Sequence, residues 1–462
     1  MRRKRVDKQS KVVPGIIISI CALIAIYVGM SLYFMNHFSF GSVINDINIS
    51  GKTVDEVEKQ LSSEIEKYTL ELEERGDVTE QIKASDIGLK YDSDKIKELK
   101  DSQNPFAWGV TLFKKDNSEA AQIVSYDEEL LNKYFDTLSC FNSKKITKPQ
   151  NASLEYTDNG YTIVDEVNGD QVKKDVLYDS VVSAVINVKP KINLDASDCY
   201  EKPQYTSESQ EVADAKNILD KYTSSTITYN NGDKTEVVDA SIIHKWLDVN
   251  EKMEVTIDNK QVTKYVDKLA GIYNTFDSTR NFDTTAKTKI KVSGGNYGWI
   301  VDKSKEVKYL VEAIKNGQPI TKEPIYSQTA VSKGANDIGS TYVELDMTKQ
   351  HLWFYKNGVL IVEGDVVTGN MGNNTSTPAG TYMLNYKERN ATLKGEDYSS
   401  PVNYWMPFNG NIGIHDASWR TEFGKNIYMT NGSHGCVNAP YEVAKTIFEN
   451  IEAATPIVCY YE

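Results

Sequence analysis

Histidine and cysteine are both scarce in this chain, with five of each among 462 residues. Cys21 falls in an uncharged run near the N-terminus, which leaves Cys140, Cys199, Cys436 and Cys459 scattered over the rest. Four such residues make no disulfide framework. A basic stripe is missing too. The net charge is −13, although residues 1–11 hold six Lys/Arg against one Asp, so the remainder carries −18. With no basic surface to neutralise phosphates, the composition argues against nucleic acid as a partner. Globular composition is not lacking: 40% hydrophobic and 25% charged residues fit folded domains. The length calls for about two to four of them.

Charge is also absent between Val12 and Met35. As a helix this run of 24 residues would be about 36 Å long, enough to cross a bilayer. No small-x-small cleavage signal closes it, and it ends in "SLYFMNHF", whose aromatics suit an interface. The expectation is a retained single-pass signal-anchor at 12–35. The basic tail 1–11 then stays in the cytoplasm, and the chain from about residue 36 lies outside the cell membrane.

From Phe38 to about Gly317 the sequence repeats itself. "SYDEELLNKYFDTL" (125–138) aligns without gaps on "TIDNKQVTKYVDKL" (256–269), sharing an Asp, a Lys-Tyr pair, a second Asp and a Leu. Upstream lie "KASDIGLKYD" and "DASIIHKWLD", read as strand starts. Downstream come "GYTIVDEVNG" and "YGWIVDKSKE", each followed by a helical period. Strand, helix, strand, helix in the same order twice predicts two α+β modules, 36–200 and 201–337, joined by the polar stretch "EKPQYTSESQEV". Beyond them, 338–462 reads as mostly β. Short alternating runs flank a hairpin signal at Asn357-Gly358. A helical period appears only after Pro440, with Val443, Ala444, Ile447, Phe448 and Ile451 on one face, and "TPIVCYY" closes as a strand.

Chemistry concentrates in "TNGSHGCVNAP" (430–440). A free cysteine is mostly protonated at neutral pH. Cys436 lies just before the predicted helix, whose positive end would favour a thiolate. Two histidines are candidate bases: His434, two residues away, and His415, at the end of an expected neighbouring strand in "NIGIHDASWR". Sequence spacing does not choose between them. Gly432 and Gly435 allow close backbone approach, and the Gly435 and Cys436 amides are candidate oxyanion donors.

A histidine followed about 18 residues later by Ser-His-Gly-Cys-x-Asn resembles the catalytic domain of the L,D-transpeptidases, of YkuD type. "NDIGSTYVELD" (336–346), "TPAGTY" (377–382) and "YWMPFNGNIGIHDASWR" (404–420) extend the similarity over nearly all of 338–462. The doubled module resembles the family's peptidoglycan-binding domain more weakly. The resemblance implies a multidomain fold: a transmembrane helix, two α+β repeat modules and a mostly-β catalytic domain. It implies Cys436 as nucleophile and His415 as the base, with Ser433, His434 and Gly435 completing the motif. Tyr404, Trp405, Trp419, Arg420 and Asn438 are expected at the substrate pocket, the last where many relatives carry Arg. Expected partners are donor and acceptor stem peptides, glycan strands at the modules and the membrane through 12–35, with no cofactor and no metal.

The implied reaction is attack of the cysteine on a tetrapeptide stem, loss of the terminal D-Ala, and capture of the thioester by a second stem in a 3→3 crosslink. Carboxypeptidase or D-amino-acid exchange activity would use the same thioester. Two rivals are a zinc site at His415, His434 and Cys436, and a non-enzymatic wall-binding protein. The Thr-Leu-x-Thr-Cys sequence of sortases is absent, and papain-like enzymes place Cys before His.

Overall fold

The computed structural model describes residues 12–112, 123–142, 144–232, 234–334, 336–395 and 399–462. The basic tail 1–11 lies outside the described residues. The uncharged run is a single helix, Val12–Phe34, long and apolar enough to cross a membrane. Its side chains face outward along most of its length, but in the last turn Ser31 and Phe34 are buried, as is Phe38 just beyond, while Leu32 and Tyr33 stay exposed. Tyr33 Oη donates to the Gly51 carbonyl at 2.8 Å. The helix therefore ends inside a folded core.

The chain forms two compact units. One contains the residues up to Ser153 together with Val164–Ser209, the other Leu154–Ile163 together with Gln210–Glu462. The boundary after Ser209 falls within the polar stretch 201–212.

Each repeat has the same plan. In the first, strands Thr69–Glu73 and Thr79–Lys83 pair antiparallel, and Lys191–Asn193 returns parallel to the former after helix Lys174–Ile186. In the second, Thr226–Asn231 and Lys234–Val238 pair, and Pro319–Lys322 returns parallel after helix Lys303–Asn316. The parallel return requires the crossover helix.

The aligned aspartates do identical work. Asp127 and Asp258 are the N-caps of helices Glu128–Phe135 and Asn259–Tyr273, accepting amide hydrogens from Leu130 at 3.0 Å and Lys260 at 2.8 Å. Behind the caps, Leu131, Phe135 and Leu138 are buried in one repeat, and Val262, Val266 and Leu269 in the other.

Two sequence readings need correction. The alanine-serine starts are helical turns, Ala84–Asp86 and Ala240–Ile243, that precede the short strands; Asp239 caps the second of them, and such local side-chain bonds favour a turn. "GYTIVDEVNG" is also not the counterpart of "YGWIVDKSKE". Its Gly160–Val164 strand is one arm of a hairpin with Ser153–Thr157, equivalent to the hairpin Arg280–Asp283 with Lys289–Val292. The true match to Val301, which pairs with Tyr326, is Val172, which bridges Tyr200. Both stretches contain Ile-Val-Asp, and a local pattern cannot tell a hairpin arm from an edge strand.

Each hairpin packs on the next segment of the chain. Tyr161 N–H donates to Asp220 at 3.0 Å, and Tyr156 stacks on His244 with ring centroids 4.1 Å apart. In the later hairpin, Phe282 meets Tyr342 edge-on at 5.6 Å, and Thr285 N–H donates to Glu344 at 2.9 Å.

The C-terminal region is two sheets around one core. A five-stranded sheet runs in the order Val359–Asp365, His351–Lys356, Tyr342–Asp346, Pro456–Tyr460, Gly380–Met383. A four-stranded sheet runs Glu388–Lys394, Ser399–Asn409, Ile412–Asp416, Val437–Ala439. Helix Tyr441–Asn450 packs against both and buries Val443, Ala444, Ile447 and Phe448. Asn357 and Gly358 turn the hairpin between His351–Lys356 and Val359–Asp365 with φ of 53° and 77°, the backbone an Asn-Gly pair supplies.

Ahead of this region, Arg280 and Asp337 form a buried ion pair, Nη2 to Oδ2 at 2.7 Å and Nε to Oδ1 at 2.8 Å. Arg280 Nη2 also donates to the Thr275 and Tyr297 carbonyls. Deleting one member of such a pair strands the other charge, at a cost of about 3–5 kcal/mol. Arg280→Met is therefore expected to lower the urea midpoint of the second unit sharply, while Arg280→Met with Asp337→Leu recovers most of the loss. Tryptophan fluorescence during urea unfolding reads both; equal midpoints for the single and double variants contradict the expectation.

Candidate active site

Strand alternation builds the site. Ile412–Asp416 pairs antiparallel with the preceding strand, Trp405 opposite His415 and Met406 opposite Ile414. It pairs parallel with Val437–Ala439, with Ile414 opposite Val437 and His415 opposite Asn438. Side chains alternate between faces. Met406, Ile414, Val437 and Ala439 enter the core, so Trp405, His415 and Asn438 take the other face, and Cys436, two residues before Asn438, joins them. Gly413 is two residues before His415 on that face. A Cβ there would stand 2.6 Å from the Met406 carbonyl and 2.7 Å from the Trp405 ring. The missing side chain lets the strand lie close against Met406 and Trp405, and the Gly413 amide bonds the Cys436 thiol.

The turn before Cys436 is held by hydroxyls. Ser433 Oγ accepts the Gly435 N–H at 3.1 Å and donates to the Cys436 carbonyl at 2.5 Å. Gly435 has φ of 118°, which a residue with a Cβ would adopt only under strain. Thr377 Oγ1, from "TPAGTY", donates to the Gly435 carbonyl at 2.7 Å and accepts the Gly369 N–H at 3.1 Å.

His415, Cys436, Ser433 and His434 line one cavity of about 170 Å³ with Asn438, Trp419 and Arg420. Leu393, Ser400 and Gly432 complete the wall. Sequence reasoning missed the first two because Leu393 sits on the polar strand Glu388–Lys394 and Ser400 at the start of Ser399–Asn409, ahead of that strand's apolar alternation. Tyr404, Trp405 and Gly435 do not line the cavity. Tyr404 points into the core beside Phe448, as alternation along its strand requires. Trp405 backs the site instead, packed with Cys436 and Ala391.

His415 is buried, and burial holds its pKa below the ordinary histidine value, with the Asp416 backbone bond opposing the shift. Nδ1 lies 2.9 Å from the Asp416 carbonyl oxygen. A carbonyl can only accept, so Nδ1 carries the hydrogen and Nε2 keeps a lone pair. The Asp416 carboxylate faces elsewhere, accepting the backbone amides of Asn403 and Tyr404, each at 2.8 Å.

Cys436 departs from expectation in one respect. The helix begins at Tyr441, and the strand Val437–Ala439 separates it from the thiol, so the helix end is too far along the chain to favour a thiolate. Burial instead pushes the thiol up to about 11, against the Gly413 amide bond, which lowers it. Sγ–H donates to the Asn411 carbonyl at 3.4 Å. The Gly435 amide, expected as an oxyanion donor, is already bonded to Ser433.

Two polar atoms in the wall, Asn438 Oδ1 and Arg420 Nε, are buried without a hydrogen-bond partner among the described residues. Trp419 is half exposed at the rim, its ring 5.8 Å from His415. Arg420 and Trp419 also border a second cavity of about 410 Å³, with Glu422 and Asn431. Among the described residues, the group of three or more metal-ligand atoms within 4.8 Å of one another is Glu74, Glu80 and Cys140. That group lies in the first unit, outside this site.

Thr377→Val removes both hydroxyl bonds that tie the turn down, at about 1–3 kcal/mol for the groups left unsatisfied. Its melting temperature is expected to fall by several degrees while Thr377→Ser stays near the parent value. Calorimetry giving Ser and Val the same loss would remove the hydroxyl from this role.

Residues 340–459 match the YkuD family, the L,D-transpeptidase catalytic domain. Residues 80–193 and 205–321 match the peptidoglycan binding domain. Among curated proteins none matches the chain. Among solved structures, the chain is similar to a cysteine-to-serine mutant of the Enterococcus faecium L,D-transpeptidase, with 36% identity, 55% of this chain and 100% of that chain covered, and a TM-score of 0.47. It is also similar to the catalytic domain of the E. faecium enzyme acylated by ertapenem: 44% identity, 26% of this chain, 98% of that chain, TM-score 0.25. Sequence identity over the whole length of the first relative, together with the match at 340–459, carries the assignment. The chain belongs to the L,D-transpeptidase family.

Proposed function

We propose that this chain makes 3→3 peptidoglycan crosslinks through a thioester on Cys436. The observation that carries the reading is that Cys436 and His415 line one cavity, with the imidazole held so that Nε2 keeps its lone pair. The pair rests as thiol and neutral imidazole, since burial disfavours both charged forms.

In the first half-reaction the Sγ proton leaves the Asn411 carbonyl for His415 Nε2. Sγ attacks the carbonyl carbon of the third stem residue. As the C–N bond to D-Ala breaks, Nε2 returns the proton to the departing amine. In the second, the side-chain amine of another stem gives a proton to Nε2 and attacks the thioester, and Sγ leaves and is reprotonated. Water or a D-amino acid in place of that amine gives the carboxypeptidase or exchange reaction.

Ser433 and Gly435 fix the turn, and His434 stands at the cavity wall. Arg420 Nε and Asn438 Oδ1 are the wall atoms with unmet hydrogen bonds, suited to the carboxylate and the amides of a stem. Trp419 supplies a flat apolar rim.

The proposed division is a cytoplasmic tail 1–11, an anchor 12–35, peptidoglycan-binding modules 36–200 and 201–337, and a catalytic domain 338–462 outside the membrane. The match of both repeats to the peptidoglycan binding domain supports stem or glycan recognition there.

The test is incubation of the protein with disaccharide-tetrapeptide and mass identification of the products. Crosslinked dimer with released D-Ala is expected from the parent and nothing from Cys436→Ala; dimer from the alanine variant refutes the assignment. His415→Ala is expected to slow acylation by an electrophilic carbapenem by about 10²- to 10⁴-fold. A near-parent rate would place the base elsewhere.

A further inference from the structure

Beside the outer end of the N-terminal helix lies a segment that the transpeptidase reaction does not use. Residues 104–112, "NPFAWGVTL", carry no charge. Asn104 accepts the Phe106 N–H at 3.0 Å and starts a turn, Pro105–Ala107, that leads into a short helical turn, Trp108–Thr111. The backbone is well satisfied. Ala107 N–H donates to the Asn104 carbonyl at 3.0 Å, and Thr111 Oγ1 donates to the Trp108 carbonyl at 2.9 Å.

This segment is fastened to the helix. Tyr27 Oη donates to the Phe106 carbonyl at 2.8 Å, and the Trp108 ring lies 6.0 Å from that of Tyr27 and 6.3 Å from that of Phe34. Tyr27 precedes Phe34 by seven residues, so the attachment is about 10 Å below the last turn of the helix. Yet its large apolar side chains face outward: Phe106 is 51% exposed, Val110 62% and Leu112 52%. They extend the outward apolar surface of Val13–Tyr33 sideways.

We propose that Pro105–Leu112 is a second membrane contact, lying at the boundary between lipid headgroups and acyl chains, and that it holds the first unit against the bilayer. The inference rests on the reading of 12–35 as an anchor. If that helix crosses the bilayer, a segment bonded to Tyr27 sits within the depth that interfacial apolar side chains occupy, about 5–10 Å. Tryptophan and tyrosine are suited to that level. A short turn with its backbone bonds closed is tolerated there, whereas an open loop in hydrocarbon is not. Continuity with the anchor's lipid-facing surface favours lipid over a protein partner.

The test uses the full chain in phosphatidylglycerol/phosphatidylcholine vesicles, with an environment-sensitive fluorophore on single thiols. Native Cys21, on the exposed face of the helix, reports the anchor. All variants carry Cys436→Ala, so that no reactive thiol remains in the cavity, and the cysteines other than Cys21 are buried. Val110→Cys and Leu112→Cys, each made with Cys21→Ala as well, report the segment and leave Phe106 and Trp108 intact. Val237→Cys in the same background, exposed on a strand of the second unit, reports water. With nitroxide-labelled lipids, the labels at 110 and 112 are expected to lose most of their emission, as does that at 21, while 237 keeps its own. Quenching at 21 with none at 110 and 112 overturns the proposal and leaves the anchor standing. No quenching at 21 overturns the anchor, and the proposal with it.

Discussion

A parallel register three residues long sets the chemistry of this protein. With His415 opposite Asn438, period-two alternation sends one face of both strands into the core and the other into a single cavity. A one-residue slip of Val437–Ala439 would turn Val437 outward and send Cys436 and Asn438 toward the core. The core therefore does two things at once. Apolar burial by Ile414, Val437 and Ala439 fixes the register, and the register brings Cys436 and His415 to one cavity. Gly413 is part of the same constraint, because the backbone of Met406 and Pro407 and the Trp405 ring leave no space for a side chain there.

Around that register the supports are polar and local. The Asp416 carbonyl sets the imidazole tautomer, while the Asp416 carboxylate ties the neighbouring strand through the Asn403 and Tyr404 amides. Ser433 and Thr377 hold the turn on which Cys436 rides. Farther out, the Arg280–Asp337 pair and the Phe282 hairpin fix the base of the C-terminal sheets. The polar ones among these are bonded within the fold, where an unbonded buried group would be costly.

Much of this was legible in the sequence. The two helix caps at Asp127 and Asp258, the Asn357-Gly358 turn and the apolar stripe behind Pro440 each follow from a local rule and appear where that rule puts them. The scarce His and Cys residues pointed to one site because little else in the chain competed for attention. Other features depended on pairing between distant segments. Val172, not Val164, matches Val301, and only strand partners reveal it. The polar arm Glu388–Lys394 has only Ala391 and Leu393 as a period-two signal, and Ser400 precedes the alternation of its own strand, so Leu393 and Ser400 were invisible. The thiol's environment was misread for a related reason: the helix begins after Pro440, as its apolar stripe predicts, but the strand Val437–Ala439 is too short to announce itself, and it stands between Cys436 and the helix end. Tyr404 and Trp405, adjacent in sequence, were assigned together although alternation must separate them.

The central claim is that the attacking group rests as a protonated thiol beside a neutral imidazole. Measuring the rate of Cys436 acylation by a carbapenem across about pH 5 to 9 tests it most directly. A lowered histidine pKa keeps Nε2 able to take a proton below the ordinary value of about 6.5, and a thiol raised to about 11 supplies little thiolate. The rate should therefore stay level through neutral pH and fall only on the acid side, beneath the usual histidine range. A rate climbing about tenfold per unit between pH 7 and 9 would mean that free thiolate attacks without the imidazole, and the account would be wrong.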